Sequence, residues 1–201
     1  MKKVVSLIGR TNVGKSTIFN RLVGKNTAIV SELEGLTRDR KISEISFNDK
    51  KLDLVDTGGF FSSKKNNFED LILLQAHEAL NSSDLILFVV DSKTGLTPYD
   101  KDLALMLRKS GKLIKLIINK IDVKDKGNIS TFDELGFKES LAVSAEHNIN
   151  FDPLNRYLSS FADTIESVNG DLINVCVLGK PNVGKSSTIN SLLDQNRLIV
   201  S

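Results

Sequence analysis

The sequence predicts an α/β fold, a mixed and mostly parallel six-stranded sheet with helices on both faces. Three observations carry that expectation. Short apolar runs of strand length alternate with segments whose apolar residues recur every three or four positions, as amphipathic helices require. The first apolar run leads through a glycine-rich turn, Gly9 to Ser16, directly into the first helical pattern. ISEISFND at 42 to 49 alternates apolar and polar residues and is followed by a turn-forming NDKK, which predicts a hairpin that adds one antiparallel edge strand.

In chain order, VVSLIG (4 to 9) opens the sheet and TIFNRLVG (17 to 24) is the first helix. The hairpin strand at 42 to 49 turns into LDLVDT (52 to 57), and FEDLILLQAHEAL (68 to 80) follows with helical spacing. DLILFVVD (84 to 91) and KLIKLIINK (112 to 120) are near-continuous apolar runs, the signature of strands buried on both faces, with the helix DKDLALMLRKS (100 to 110) between them. ESLAVSA (139 to 145) supplies the last strand and DPLNRYLSSFA (152 to 162) the last helix. Strand and helix in strict alternation make parallel neighbours the expectation, with a ligand at the carboxyl ends of the strands. The polar stretch DTIESVNGD after residue 162 reads as a linker. The expected organisation is a first domain over 1–163, a linker over 164–172, and over 173–201 the opening strand, turn and helix of a second domain.

Composition narrows the class. With 40% hydrophobic and 26% charged residues the chain is expected to fold as a globular protein. A net charge of +2 implies no strong attraction to nucleic acid, and DNA is not an expected partner. No run approaches the ~18 apolar residues of a membrane span, so no membrane partner is expected either. Gly9 and Arg10 end the N-terminal apolar run too early for a signal-peptide core. Cys176 stands alone and reads as a buried thiol in a reducing cytoplasm, the expected location.

The chemistry is concentrated in ordered motifs. GRTNVGKS with its following threonine (Gly9, Arg10, Thr11, Asn12, Val13, Gly14, Lys15, Ser16, Thr17) is a P-loop: backbone N–H groups converge at a helix N-terminus to cradle phosphates. Lys15 can reach the β and γ phosphates, and the Ser16 hydroxyl can ligate Mg2+. Asp56-Thr57-Gly58-Gly59 ends a strand, so Asp56 can hold the Mg2+ shell through water and the Gly59 N–H can meet the γ phosphate. Asn119-Lys120-Ile121-Asp122 also ends a strand. There the Asp122 carboxylate can accept from both the ring N–H and the exocyclic amine of guanine, a pair that adenine does not present. Asn119 is expected to brace the base and neighbouring loops, and the stem of Lys120 to cover the base plane. Ser144-Ala145 offers a backbone N–H to the guanine oxygen, and Thr37 in EGLTRDR is a candidate Mg2+ ligand. The catalytic candidates are Lys15, Thr37 and Gly59, with GTP and GDP as the nucleotides.

The P-loop is written twice. Val4 to Ser31 and Asn174 to Ser201 share 13 of 28 positions at an offset of 170, and the second copy is Gly179, Lys180, Pro181, Asn182, Val183, Gly184, Lys185 and Ser186. No DxxG or NKxD motif follows that copy within this chain, so one tight guanine site per chain is expected.

GRTNVGKST, EGLTRDR, DTGG, NKID and VSA, followed by a restarted GKPNVGKSS, resemble the Der (EngA) family of bacterial GTPases, which carry two G domains in tandem. The resemblance covers essentially the whole chain. It implies a Ras-like G fold, hydrolysis of GTP to GDP, and a role in maturation of the large ribosomal subunit with that subunit or its rRNA as partner. Thr11 departs from the proline usual in the first P-loop and Leu36 from valine, and neither change removes a ligand. Ras-type enzymes place a water-orienting glutamine directly after DxxG, whereas this chain has Phe60. Similar GTPases with asparagine in the P-loop and an apolar residue after DxxG use bound K+, which makes Asn12 a candidate K+ ligand and slow turnover the expectation. Asn12 as a turn residue bonding its own backbone is the other reading. Two alternatives to an assembly GTPase stay open: a nucleotide-gated docking module with negligible intrinsic hydrolysis, and an ATP-dependent enzyme, against which NKID argues. His77 and His147 have no partners at metal-ligand spacing.

Overall fold

The computed structural model describes residues 2–30, 41–57, 77, 79–122 and 129–164, all within one compact unit, Met1–Ile165. Strands β1 (Lys3–Ile8), β4 (Lys50–Asp56), β5 (Leu85–Asp91), β6 (Leu113–Asn119) and β7 (Ser140–Ala142) pair in parallel in the order β4-β1-β5-β6-β7. The hairpin strand β3 (Lys41–Phe47) pairs antiparallel with β4. Its two-residue turn sets Phe47 opposite Lys50, with Asn48 taking the left-handed backbone (φ 54) that asparagine tolerates.

Two strands escaped the sequence reading. The hairpin strand is not the edge, because β2 (Thr27–Val30) pairs antiparallel along its outer side with Thr27 opposite Ser46 and Val30 opposite Ser43. A four-residue strand next to a helix end offers too little alternation to stand out. β8 (Asp163–Thr164) pairs antiparallel with Lys51 and Lys50. Among the described residues the sheet therefore has eight strands where six were expected, and the polar stretch read as linker begins inside it. ESLAVSA contributes only Ser140–Ala142 as strand, after which Val143 N–H still reaches Ile118 O at 2.8 Å.

Strand alternation divides the core in two. Val5, Leu7, Leu85, Leu87, Val89 and Ile117 face α1 (Lys15–Lys25) and α3 (Phe151–Phe161), which contribute Ile18, Phe19 and Leu22, and Phe151, Leu154 and Leu158. Their neighbours Ile8, Ile86, Phe88, Val90, Leu116 and Ile118 face α2 (Pro98–Lys109), the 3-10 helix Ile129–Leu135 and the helical residues 79–82, through Leu103, Leu107, Phe132, Leu135 and Leu80. Each central strand thus buries both faces, which is why these segments are apolar at nearly every position. At about 25 cal/mol per Å² of apolar surface removed from water, these two layers dominate the stability of the sheet. Of the segment expected to be helical at 68 to 80, only 77, 79 and 80 lie among the described residues, and these are helical.

α2 begins two residues before its sequence expectation. Thr97 caps it, with its hydroxyl 3.3 Å from Asp100 N while Asp100 Oδ2 accepts from Thr97 N at 3.0 Å, and Pro98 occupies the first turn. α1 is built otherwise. Gly14 stands at its N-cap with φ 97 and makes no side-chain cap hydrogen bond, so the positive end of the helix carries no capping side chain.

Candidate active site

β1, β4, β5 and β6 end at Ile8, Asp56, Asp91 and Asn119, and the residues that follow them form one edge of the sheet. The P-loop starts there because the chain must pass very close to β5. A Cβ on Gly9 would stand 2.2 Å from Val89 O, and one on Gly14 2.2 Å from Asn119 Nδ2. Both glycines are therefore required by close approach as well as by backbone angle. Val13 is buried in the core and anchors the loop, while Thr11, Asn12, Ser16 and Thr17 are exposed. Asn12 takes a left-handed backbone at φ 62.

Lys15 folds into the loop, its Nζ donating to Gly9 O and Arg10 O at 2.7 Å each. Only 6% of the residue is exposed. Burial disfavours the charged amine and lowers its pKa to about 8, against the opposing attraction of the Asp56 carboxylate. Asp56 is buried at the end of β4, and the Thr57 hydroxyl beside it donates to Leu7 O at 2.6 Å, tying the β4 end to β1. Arg10 turns away from the loop, with Nε 3.1 Å from the fully buried Asp100 and an Nη donating to Thr94 Oγ1 at 2.5 Å.

Asn119 joins two loops with one carboxamide. Its Nδ2 donates to Val13 O at 2.9 Å in the P-loop, and its Oδ1 accepts from Ala145 N at 3.0 Å. Lys120, at φ 66, adds a second tie, its Nζ reaching Asn12 O at 2.6 Å and Asp91 Oδ2 at 2.7 Å. Ile121 N–H meets Val143 O at 3.3 Å. Asp122 then stands against Ser144 and His147. A hydrogen bond from Ser144 holds its carboxyl below the usual carboxylate range, opposed by desolvation and assisted by its own backbone N–H and by the neighbouring His147 and Lys120. His147 Nε2 lies 3.3 Å from Asp122 Oδ2, whereas Asp122 Oδ1 is buried without a hydrogen-bond partner. A buried carboxylate oxygen left unpaired is costly, and such groups collect where a ligand supplies the missing donor.

The fold thus brings together Gly9 to Thr17, Asp56, Thr57, Asn119 to Asp122, Ser144 and Ala145. Thr37, Gly58, Gly59, Phe60 and the second copy Gly179 to Ser186 lie outside the described residues. Three participants were not anticipated. Arg21 on α1 donates to Ala145 O at 3.0 Å and Glu146 O at 2.8 Å, and Asp91 receives Lys120. His147 is the third, weighed in the sequence only as a metal ligand. Asp91 ends a strand beside the NKID strand, which is a readable signal; nothing in the spacing of Arg21 marks it.

A protein-family model described as 50S ribosome-binding GTPase matches residues 4–120 and again 174–201. The second match falls on the segment that repeats the first P-loop. GTPase Der from Finegoldia magna is 42% identical over 203 residues, an alignment covering 100% of this chain and 46% of that protein. The chain accordingly spans about half the length of the curated relatives it matches. An Era variant from Aquifex aeolicus bound to GDP and AlF4− is similar with a TM-score of 0.63 and 27% identity, over 89% of this chain and 63% of the other. Era in complex with MgGDPNP and nucleotides 1506–1542 of 16S ribosomal RNA gives a TM-score of 0.63 and 26% identity, over 86% and 61%. The fold is that of a Ras-like G domain. With the family model matched over more than half of its residues, the chain belongs to the 50S ribosome-binding GTPase family, and Der GTPases are among the relatives that match its whole length.

Proposed function

We propose that the site binds guanine nucleotide with Mg2+ and hydrolyses GTP to GDP during assembly of the large ribosomal subunit in the cytoplasm. The observation that carries the reading is the Asn119 carboxamide, which fixes the P-loop and the Ser144-Ala145 segment to each other. Phosphate and base contacts then sit on one rigid frame, and the Asp122 carboxylate, with Oδ1 unpaired, can accept the ring N–H and exocyclic amine of guanine together, a pair that adenine does not present.

The residues fit the expected groups. Gly9 and Gly14 let the loop pack closely against Val89 O and Asn119 Nδ2, and no cap side chain occupies the N-terminus of α1, where phosphate would bind. Ser16 is exposed there. With Asp56 acting through water and Thr37, it would hold Mg2+, which supplies charge neutralisation between the phosphates. Asn12 is exposed, so its carboxamide oxygen is accessible to K+. Lys15 carries its charge to the phosphates once they displace Gly9 O and Arg10 O from its amine. Gly59 would donate to the γ phosphate, and Phe60 supplies no hydrogen bond to water, so intrinsic turnover is slow. The second copy, with Lys185 and Ser186, repeats the phosphate-binding residues alone.

A large-subunit partner is supported by membership of the 50S ribosome-binding GTPase family, and the Era structure with 16S ribosomal RNA supports a ribosomal partner in general. Phe60 also favours a second reading, a docking module in which hydrolysis only times release. Turnover of GTP and ATP by this chain, measured in K+ and in Na+ with and without large ribosomal subunits, tests these readings. GTP-specific turnover that is faster in K+ and stimulated by the subunits is the expected result. Equal rates in the two salts remove the K+ assignment, and turnover of ATP removes the guanine site.

A further inference from the structure

We propose that His147 positions the Asp122 carboxylate and so sets how strongly the site discriminates guanine by its exocyclic amine. The inference rests on the reading of Asp122 as the group that recognises the base. A carboxylate accepts two parallel N–H donors only when its plane is fixed. Asp122 stands in a turn, where its own backbone N–H is the main-chain group that bonds the carboxyl. The other constraint comes from the segment after β7. Nε2 of His147 lies 3.3 Å from Oδ2, and the Ser144 hydroxyl also bonds the carboxylate. Oδ1 keeps its acceptor capacity, being buried and unpartnered.

His147 is itself well placed to act. Its backbone N–H donates to Ser144 Oγ at 3.2 Å, so the two residues touching Asp122 are held to each other. Ser144 and Ile149 exchange backbone hydrogen bonds at 3.1 and 3.0 Å, which closes the turn that carries the imidazole. Arg21 fixes Ala145 O and Glu146 O from α1, and Asn119 fixes Ala145 N from β6. The turn is thus tied to two elements of the core, while the His147 side chain remains 56% exposed. An exposed imidazole on a rigid turn, aimed at one oxygen of a carboxylate whose other oxygen is unused, is a clamp on that carboxylate.

The test compares affinities of GDP and IDP. The hypoxanthine base of IDP keeps the ring N–H and lacks the exocyclic amine, so their ratio isolates the second donor and cancels phosphate and ribose. His147→Ala is expected to lower the GDP to IDP ratio about fivefold, the net scale of one ordinary hydrogen bond. His147→Gln, whose amide can donate to the same oxygen, is expected to restore most of it. Weakening of both nucleotides by one factor in His147→Ala, with the ratio intact, overturns the proposal and leaves His147 a structural residue. Asp122→Asn separates the two levels. Should it leave the ratio unchanged, the reading of Asp122 fails first; should it collapse the ratio while His147→Ala does not, only the role of His147 fails.

Discussion

At the scale of single residues, the polar groups that tie the site together are largely buried, Lys15, Asp56, Asn119 and Ser144 among them. Lys15 is the clearest, since its amine is held by two carbonyls of its own loop and depressed to about 8. The unfolded chain binds its proton up to the ordinary value of 10.5, so between about 8 and 10.5 the unfolded state carries more proton than the folded one. Stability contributed by this residue therefore rises with pH across that window, and the penalty for the buried charge is fully present below it. Lys15→Met has no such group. The stability of wild type relative to Lys15→Met, from urea melts at pH 7.5 and 10, is expected to shift in favour of wild type, with on the order of 3 kcal/mol as the full span. A difference that does not change with pH would mean that the amine is solvated. Asp122, Asn119 and Lys15 were legible in the sequence because each belongs to a spaced motif. Arg21 was not, because its two acceptors are main-chain carbonyls, and a main-chain carbonyl leaves no trace in residue identity.

Elements are legible to the degree that burial imposes a pattern on them. β5 and β6 are apolar throughout because helices cover both faces, and their bounds agree with the sequence reading to within a residue. β2 and β8 are four and two residues long and are specified by register against a partner strand, which a linear pattern does not record. The start of α2 carries its own signal in Thr97-Pro98-Tyr99-Asp100, a capping box with proline in the first turn, outweighed by the apolar spacing that begins later. Asp100 serves twice, capping the helix and accepting from Arg10 of the P-loop. Thr97→Ala is expected to cost about 1 kcal/mol. Asp100→Ala is expected to cost more, because it also leaves the Arg10 guanidinium without its buried carboxylate. Thermal melts of the two variants rank them, and equal losses would show that the tie to Arg10 contributes nothing.

At the scale of the whole molecule, the doubly covered sheet fixes four strand ends on one edge, and the site consists of the loops those ends project. What remains for side chains is to set the loops relative to one another, since β1 and β6 are separated by β5 and share no backbone hydrogen bonds. Asn119 does this across β5, joining Val13 O to Ala145 N while only 2% exposed. Truncating it leaves one buried acceptor and one buried donor without partners, each worth about 1–3 kcal/mol. Asn119→Ala is therefore expected to lower stability by about 2–4 kcal/mol in a urea melt, and to weaken GDP and isolated pyrophosphate together. That second outcome is the discriminating one. Pyrophosphate is expected to engage the P-loop and not Asn119, which bonds that loop from 106 positions away in sequence. Its loss of affinity would report that the base side of the site holds the phosphate side in shape, whereas unchanged pyrophosphate binding would mean that the P-loop keeps its conformation without that tie.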